Sequence, residues 1–186
     1  MALPSAYNPD AWSAFFLLVG TAAATLAGLF FVVFSLRLQE IQRSIVLRVR
    51  ARYLLLGTIA MTVGAGFVLM PRQSLTWLAA EILSGSVALG AHTAWSLIRA
   101  ARQEPLPVSP DQIGRWIGFA LILLLNVGAS ISLIVRNGGG LYLFAFSMLL
   151  AFAVQVVSAW SLITGIGEGS RRQEVPSQAT EQVSLP

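Results

Sequence analysis

Residues 12–36 read WSAFFLLVGTAAATLAGLFFVVFSL, a run without one charged side chain. Crossing the hydrocarbon core of a bilayer as a helix takes about 20 apolar residues, and this run is longer than that. Four further stretches have the same character: Tyr53–Met70, Leu75–Ile98, Trp116–Val135 and Leu141–Ile166. Strands of a membrane barrel need about 10 residues of strict alternation, which none of the five shows. Backbone groups in lipid must pair internally, so only helices fit. The expected fold is an all-α integral membrane bundle of five transmembrane helices, with one short cytoplasmic amphipathic helix.

Composition agrees. The chain has 186 residues, 56% hydrophobic and 11% charged, against about 25% charged in an average soluble domain. A chain this short does not bury so much apolar surface in one soluble core. Residues 1–167 are expected to form a single transmembrane domain. Residues 168–186, rich in Ser, Gln and Glu, read as a disordered cytoplasmic tail. Cysteine is absent and all 12 basic residues are arginine, which excludes disulfides, thiolate metal sites and lysine Schiff bases.

The arginines orient the bundle. Arg37, Arg43, Arg48, Arg50 and Arg52 follow the first span, Arg99, Arg102 and Arg115 lie between the third and fourth, and Arg171 and Arg172 lie in the tail. With five spans, all of these fall on one side, leaving only Arg72 and Arg136 on the other. The positive-inside rule then puts the N-terminus outside and the C-terminus in the cytoplasm. The first span is expected to be retained, because MALPSAYNPD carries no basic residue before it and a signal peptide has the reverse charge order. The outer connections PRQS and RNGGG read as tight turns. The inner RAARQEPLPVSPDQIGR reads as an extended linker.

Residues 37–52, RLQEIQRSIVLRVRAR, place Leu38, Ile41, Ile45 and Val49 on one helical face. The expectation is an interfacial helix whose Arg43, Arg48, Arg50 and Arg52 meet anionic lipid headgroups. Docking of a cytoplasmic partner is the alternative. No aromatic interleaving or recognition fold points to nucleic acid.

Polar groups at membrane depth are costly and mark candidate sites. Glu81 and His92, the only histidine, lie within AEILSGSVALGAHT, residues 80–93. At 100° per residue, Glu81, Gly85, Ala88, His92 and Arg99 share a face, with Glu81 and His92 roughly 16 Å apart. Thr25, Thr62, Asn126 and Gln155 lie near mid-depth in the other spans, and Ser84 and Ser86 in the third. Such groups are expected to face one another in an inner polar layer. Glu81 has two structural readings, pairing with Arg72 or sitting protonated and hydrogen-bonded. Its functional reading is an ion or proton path lined by Glu81, His92, Asn126, Gln155 and Thr62. In the first span Ser13, Gly20, Ala24 and Ala27 form a small-residue stripe, either packing within the chain or seaming two copies.

No catalytic motif is present: no H-E-x-x-H, no G-x-S-x-G, no P-loop. A single histidine makes no metal cluster. Neither enzymatic activity nor a cofactor is expected, and no Gly/Pro-broken pair of half-helices suggests an inverted-repeat transporter.

Taken together, FFLLVGTAAATLAGLFFVVFSLRL, PRQSLTWLAAEIL and NGGGLYLFAFSMLLAFAVQVVSAW resemble a largely uncharacterised group of small bacterial multi-pass inner-membrane proteins. Some members of that group are labelled modulators of FtsH protease. The group has a first span ending in a Ser-Leu pair, a P-G-Q-S…L-G-x-E turn and a G-L-Y opening the last span. Pro71, Gln73, Ser74 and Glu81 match. Arg72 stands where the group has glycine, and Ala80 also departs. The resemblance implies a bacterial inner (plasma) membrane location. It implies a structural or regulatory role through contacts with other copies or a membrane partner, and ties Glu81 to the turn bearing Gln73 and Ser74.

Overall fold

A computed structural model describes residues 5–43, 45–103 and 110–160. Two short 3-10 segments, Ser5–Tyr7 and Pro9–Trp12, lead into six α-helices: α1 Ser13–Leu36, α2 Leu38–Arg43, α3 Ile45–Val68, α4 Leu75–Gln103, α5 Pro110–Val135 and α6 Gly140–Trp160. No strand occurs among the described residues. Segments Pro9–Leu36, Leu47–Val68, Trp116–Val135 and Gly140–Trp160 are long and apolar enough to cross a membrane. The 29-residue α4 has the length but is not among them. Glu81, His92 and its serines and threonines dilute the apolar run.

Helical periodicity is visible in what each helix buries. On α3 the buried residues are Ala51, Leu54, Thr58, Met61, Ala65 and Val68, repeating every three or four positions. That spacing keeps one stripe of a 3.6-residue helix against its neighbours. On α1 the buried stripe is Phe16, Val19, Ala23 and Phe30. The two helices meet closely at Gly20, where an added Cβ would stand 2.9 Å from the Ala65 Cβ. The small-residue stripe expected on α1 therefore splits. Gly20 packs inside the chain and Ala27 is half-buried, whereas Ala24 points outward and its neighbour Ala23 takes the buried place. Small residues at 23, 24 and 27 are compatible with either face, and the flanking Phe16 and Phe30 decide between them.

Two apolar clusters result. The larger surrounds Phe16, Leu78, Leu133, Leu141 and Phe144 at the end bearing the α3–α4 and α5–α6 turns. The smaller, Phe30, Leu54 and Ala159, lies toward the other end. The N-terminal segments fold over the first. Buried Tyr7 accepts the Gly139 N–H through its phenol oxygen at 2.8 Å, and the Trp12 ring meets Tyr142 edge-on at 4.7 Å. Gly138 and Gly139 adopt φ of +89° and +79° in that turn, conformations glycine enters without a Cβ clash.

Residue 44 lies outside the described residues, and residues 38–43 and 45–52 on either side of it are helical. The helix from Ile45 continues directly into the apolar part of α3. Ile41 is buried, whereas Leu38 is exposed. Between α4 and α5, helix extends to Gln103 and resumes at Pro110. The rest of the segment expected to be an extended linker, residues 104–109, lies outside the described residues, as do the end of the last span beyond Trp160 and the tail.

Candidate functional site: a polar cavity between four helices

A cavity of about 140 Å³ lies between α3, α4, α5 and α6. Its polar lining comes from Glu81 and Ser86 on α4, Asn126 on α5, and Ser147 and Gln155 on α6. Tyr53, Phe67, Phe119, Phe144 and Met148 supply apolar wall.

Each polar group reaches the cavity for a local reason. Ser147 donates to Asn126 Oδ1 at 2.6 Å and also lies 2.8 Å from the Phe144 carbonyl, one turn back on its own helix. The first bond ties α6 to α5. Ser86 is buried and donates to the Ile82 carbonyl at 2.7 Å. Gln155 is 4% exposed, and its Nε2 donates to the Leu54 carbonyl of α3 at 3.1 Å. That approach is possible because the facing residue is Gly57, where an added Cβ would fall 1.8 Å from Gln155 Nε2. The other amide atom, Gln155 Oε1, is buried without a hydrogen-bond partner. Most buried polar atoms have one, so this orphan is an exception within the residues around the cavity.

Glu81 is half-buried, and its carboxylate accepts a hydrogen bond from the Gln73 amide of the α3–α4 turn. Arg72 does not pair with it. Arg72 takes φ +59°, in the left-handed region, and is exposed. Ser74 accepts the Trp77 N–H at 3.2 Å, capping the start of α4. The turn and the first two turns of α4 therefore form one hydrogen-bonded unit.

Not all sequence-chosen residues join the site. Thr62 donates to the Thr58 carbonyl at 3.0 Å and Thr25 to the Thr21 carbonyl at 2.9 Å, each on its own helix. A threonine hydroxyl satisfied four residues back has no need of a partner helix. Ser84 is exposed and bonds the Glu81 carbonyl. His92 is half-buried and lies outside the cavity wall. The inner polar layer is thus built from α4, α5 and α6 with Gly57 of α3, and α1 contributes nothing to it. Ser147 and Gly57 were not foreseen. A glycine among Leu54–Ala60 was the one available hint.

Of the candidate lipid-facing arginines, Arg52 is exposed, and Arg48 donates to the Gln42 carbonyl at 2.7 Å, tying α3 to α2. Arg50 is half-buried and engaged within the chain. Arg43 ends α2, and its side chain lies outside those described.

Both ends of the bundle carry exposed aromatics. Trp77 and Trp95 on α4 are 69% and 68% exposed. Eighteen residues separate them, which on a helix is roughly 27 Å, close to the ~30 Å hydrocarbon thickness. Tyr142 is exposed beside the first end and Trp160 at the second. Sequence reasoning passed over these residues, although the pairing on one helix was there to be read.

No family model, no curated protein and no solved structure matches the chain.

Proposed function

We propose that this is a five-span integral membrane protein of a bacterial inner membrane, N-terminus outside and C-terminus cytoplasmic. It acts without catalysis, through helix–helix contacts with other copies of itself or with a membrane partner. The observation that carries the five-span reading is the contact of Tyr7 with Gly139. It joins the start of the chain to the α5–α6 turn, so an even number of crossings separates them. Helices α1, α3, α4 and α5 supply four if α4 crosses, and three if it does not. The exposed Trp77 and Trp95 support a crossing α4, since tryptophan is enriched at both membrane interfaces.

Support for the contact role comes from α1. One face packs on α3, while the opposite face carries exposed Thr21, Ala24, Thr25 and Gly28, with no atom within 4 Å of a Cβ placed at Gly28. Small residues on an outward face favour close helix approach. Photobleaching of single fluorescently tagged particles in liposomes tests self-association. The expected result is two or more steps per particle, falling to one in Gly28→Leu. Single steps from the wild type at every protein density would refute self-association and leave a different membrane protein as the partner.

A conducting path is the second reading, favoured by the convergence of Glu81, Asn126 and Gln155 on one cavity. His92 and Thr62 drop out of that path. Ion and proton flux into liposomes, compared between wild type and Glu81→Gln, separates the two. The contact role expects no flux above empty liposomes. Flux that is lost in the folded variant would establish the path.

A further inference from the structure

We propose that the cavity between α3, α4, α5 and α6 is a binding site for a small amphiphile. The guest carries a hydrogen-bond-donating head on a short apolar body, and it enters sideways through the gap between α3 and α4. The head is assigned by Gln155. Gln155 lines the cavity, and its Oε1, which accepts hydrogen bonds only, is buried without a partner. A hydroxyl or amine hydrogen satisfies it, whereas an alkane leaves it orphaned.

The body is assigned by the wall. Phe119, Phe144 and Met148 offer apolar surface, and about 140 Å³ is the size of cavity that takes a benzene-sized molecule. Gln155 lies eight residues beyond Ser147 on α6, roughly 12 Å along the helix. That length accommodates a head and a short chain. The sign of charge is assigned by Glu81, the one charged side chain in the lining, with no arginine opposite. A carboxylate guest would find no cation there to pair with.

The route follows from exposure. Of the lining residues only Val63 on α3 and Gly85 on α4 are exposed. No atom lies within 4 Å of a Cβ built on Gly85. The opening is therefore on the flank of the bundle, among apolar side chains, and not at either end. This inference stands whether or not the protein self-associates.

Equilibrium dialysis of the full chain in lipid nanodiscs against empty nanodiscs tests it, with 1-hexanol, hexylamine, hexane and hexanoate as probes. Saturable binding of 1-hexanol and hexylamine is expected, about fivefold tighter than hexane, the worth of one net hydrogen bond. Hexanoate should show no saturable binding. Gln155→Leu should bring 1-hexanol down to the level of hexane, and the Leu54 carbonyl keeps its helical position in that variant. Gly85→Phe, which meets open space, should slow uptake of both. Equal binding of 1-hexanol and hexane, survival of the preference in Gln155→Leu, or no saturable binding by the wild type would overturn the site. Unchanged uptake in Gly85→Phe would overturn the route.

Discussion

Gly57 and Gln155 are complementary in a way that only glycine allows. The amide lies where a Cβ at position 57 would be, and it spends its N–H on a carbonyl of α3 that already serves the helix. Gly57→Ala should therefore displace Gln155 and cost about 1–3 kcal/mol, the range for overpacking a filled site. The fall in thermal midpoint of the detergent-solubilised protein, followed by tryptophan fluorescence, measures it. Arg72 presents the opposite case. It holds φ +59° in the α3–α4 turn, a conformation that costs an ordinary L-residue roughly 1–2 kcal/mol. Arg72→Gly should be neutral or stabilising by about 1 kcal/mol, because part of the relieved strain is offset by the greater freedom of glycine when unfolded. Loss of stability in that variant would mean that the arginine side chain holds the turn. At the other end of the chain, Tyr7→Phe removes the acceptor of the Gly139 N–H. That group becomes unpaired in a half-buried turn, and a cost of about 1–3 kcal/mol is expected. A melting curve identical to wild type would show that water replaces the phenol oxygen.

Among the elements, α4 carries the argument. Four helices are long and apolar enough to cross on composition alone. α4 instead crosses, on this account, because its neighbours and its two exposed tryptophans fix it there. In an insertion assay on isolated segments, residues 75–98 should insert less completely than residues 12–36, and Glu81→Leu should raise their insertion markedly. Complete insertion of the unaltered segment would remove the need for its neighbours. The sequence made the helices legible because their signal is additive: length, apolar content and the positions of arginine each point the same way. Side-chain partners were less legible, for definite reasons. Thr62 was expected in the polar layer, but a threonine satisfies itself on its own helix. Ala24 and Ala23 are equally small, and only packing partners tell which is buried. Glu81 found Gln73 and not Arg72, because the turn conformation carries Arg72 away. The helical periodicity of the basic segment continues smoothly from residue 45 into α3. Asn126 and Gln155 stood out in the sequence as polar groups in apolar runs and both line the cavity, whereas Ser147 and Gly57, small and unremarkable in such runs, did not stand out.

At the scale of the whole molecule, the account rests on parity. Tyr7 touching Gly139 puts the N-terminus and the α5–α6 turn at one end, so α4 must traverse the bilayer if the other helices do. The arginines then fall where the positive-inside rule wants them, at Arg99 and Arg102 beyond Trp95. The polar cavity lies within the bundle, and large apolar side chains are exposed along α1, α5 and α6. The absence of cysteine makes the decisive measurement direct, since every introduced thiol is the only one. Single-cysteine variants at Asn8, Gln42, Gln73, Gln103 and Asn137 would be treated in intact cells with a membrane-impermeant maleimide. The account expects labelling from outside at Asn8, Gln73 and Asn137, and protection at Gln42 and Gln103 until the membrane is opened. Labelling of Gln103 from outside together with protection of Asn137 would mean that α4 does not cross, and would contradict the five-span bundle.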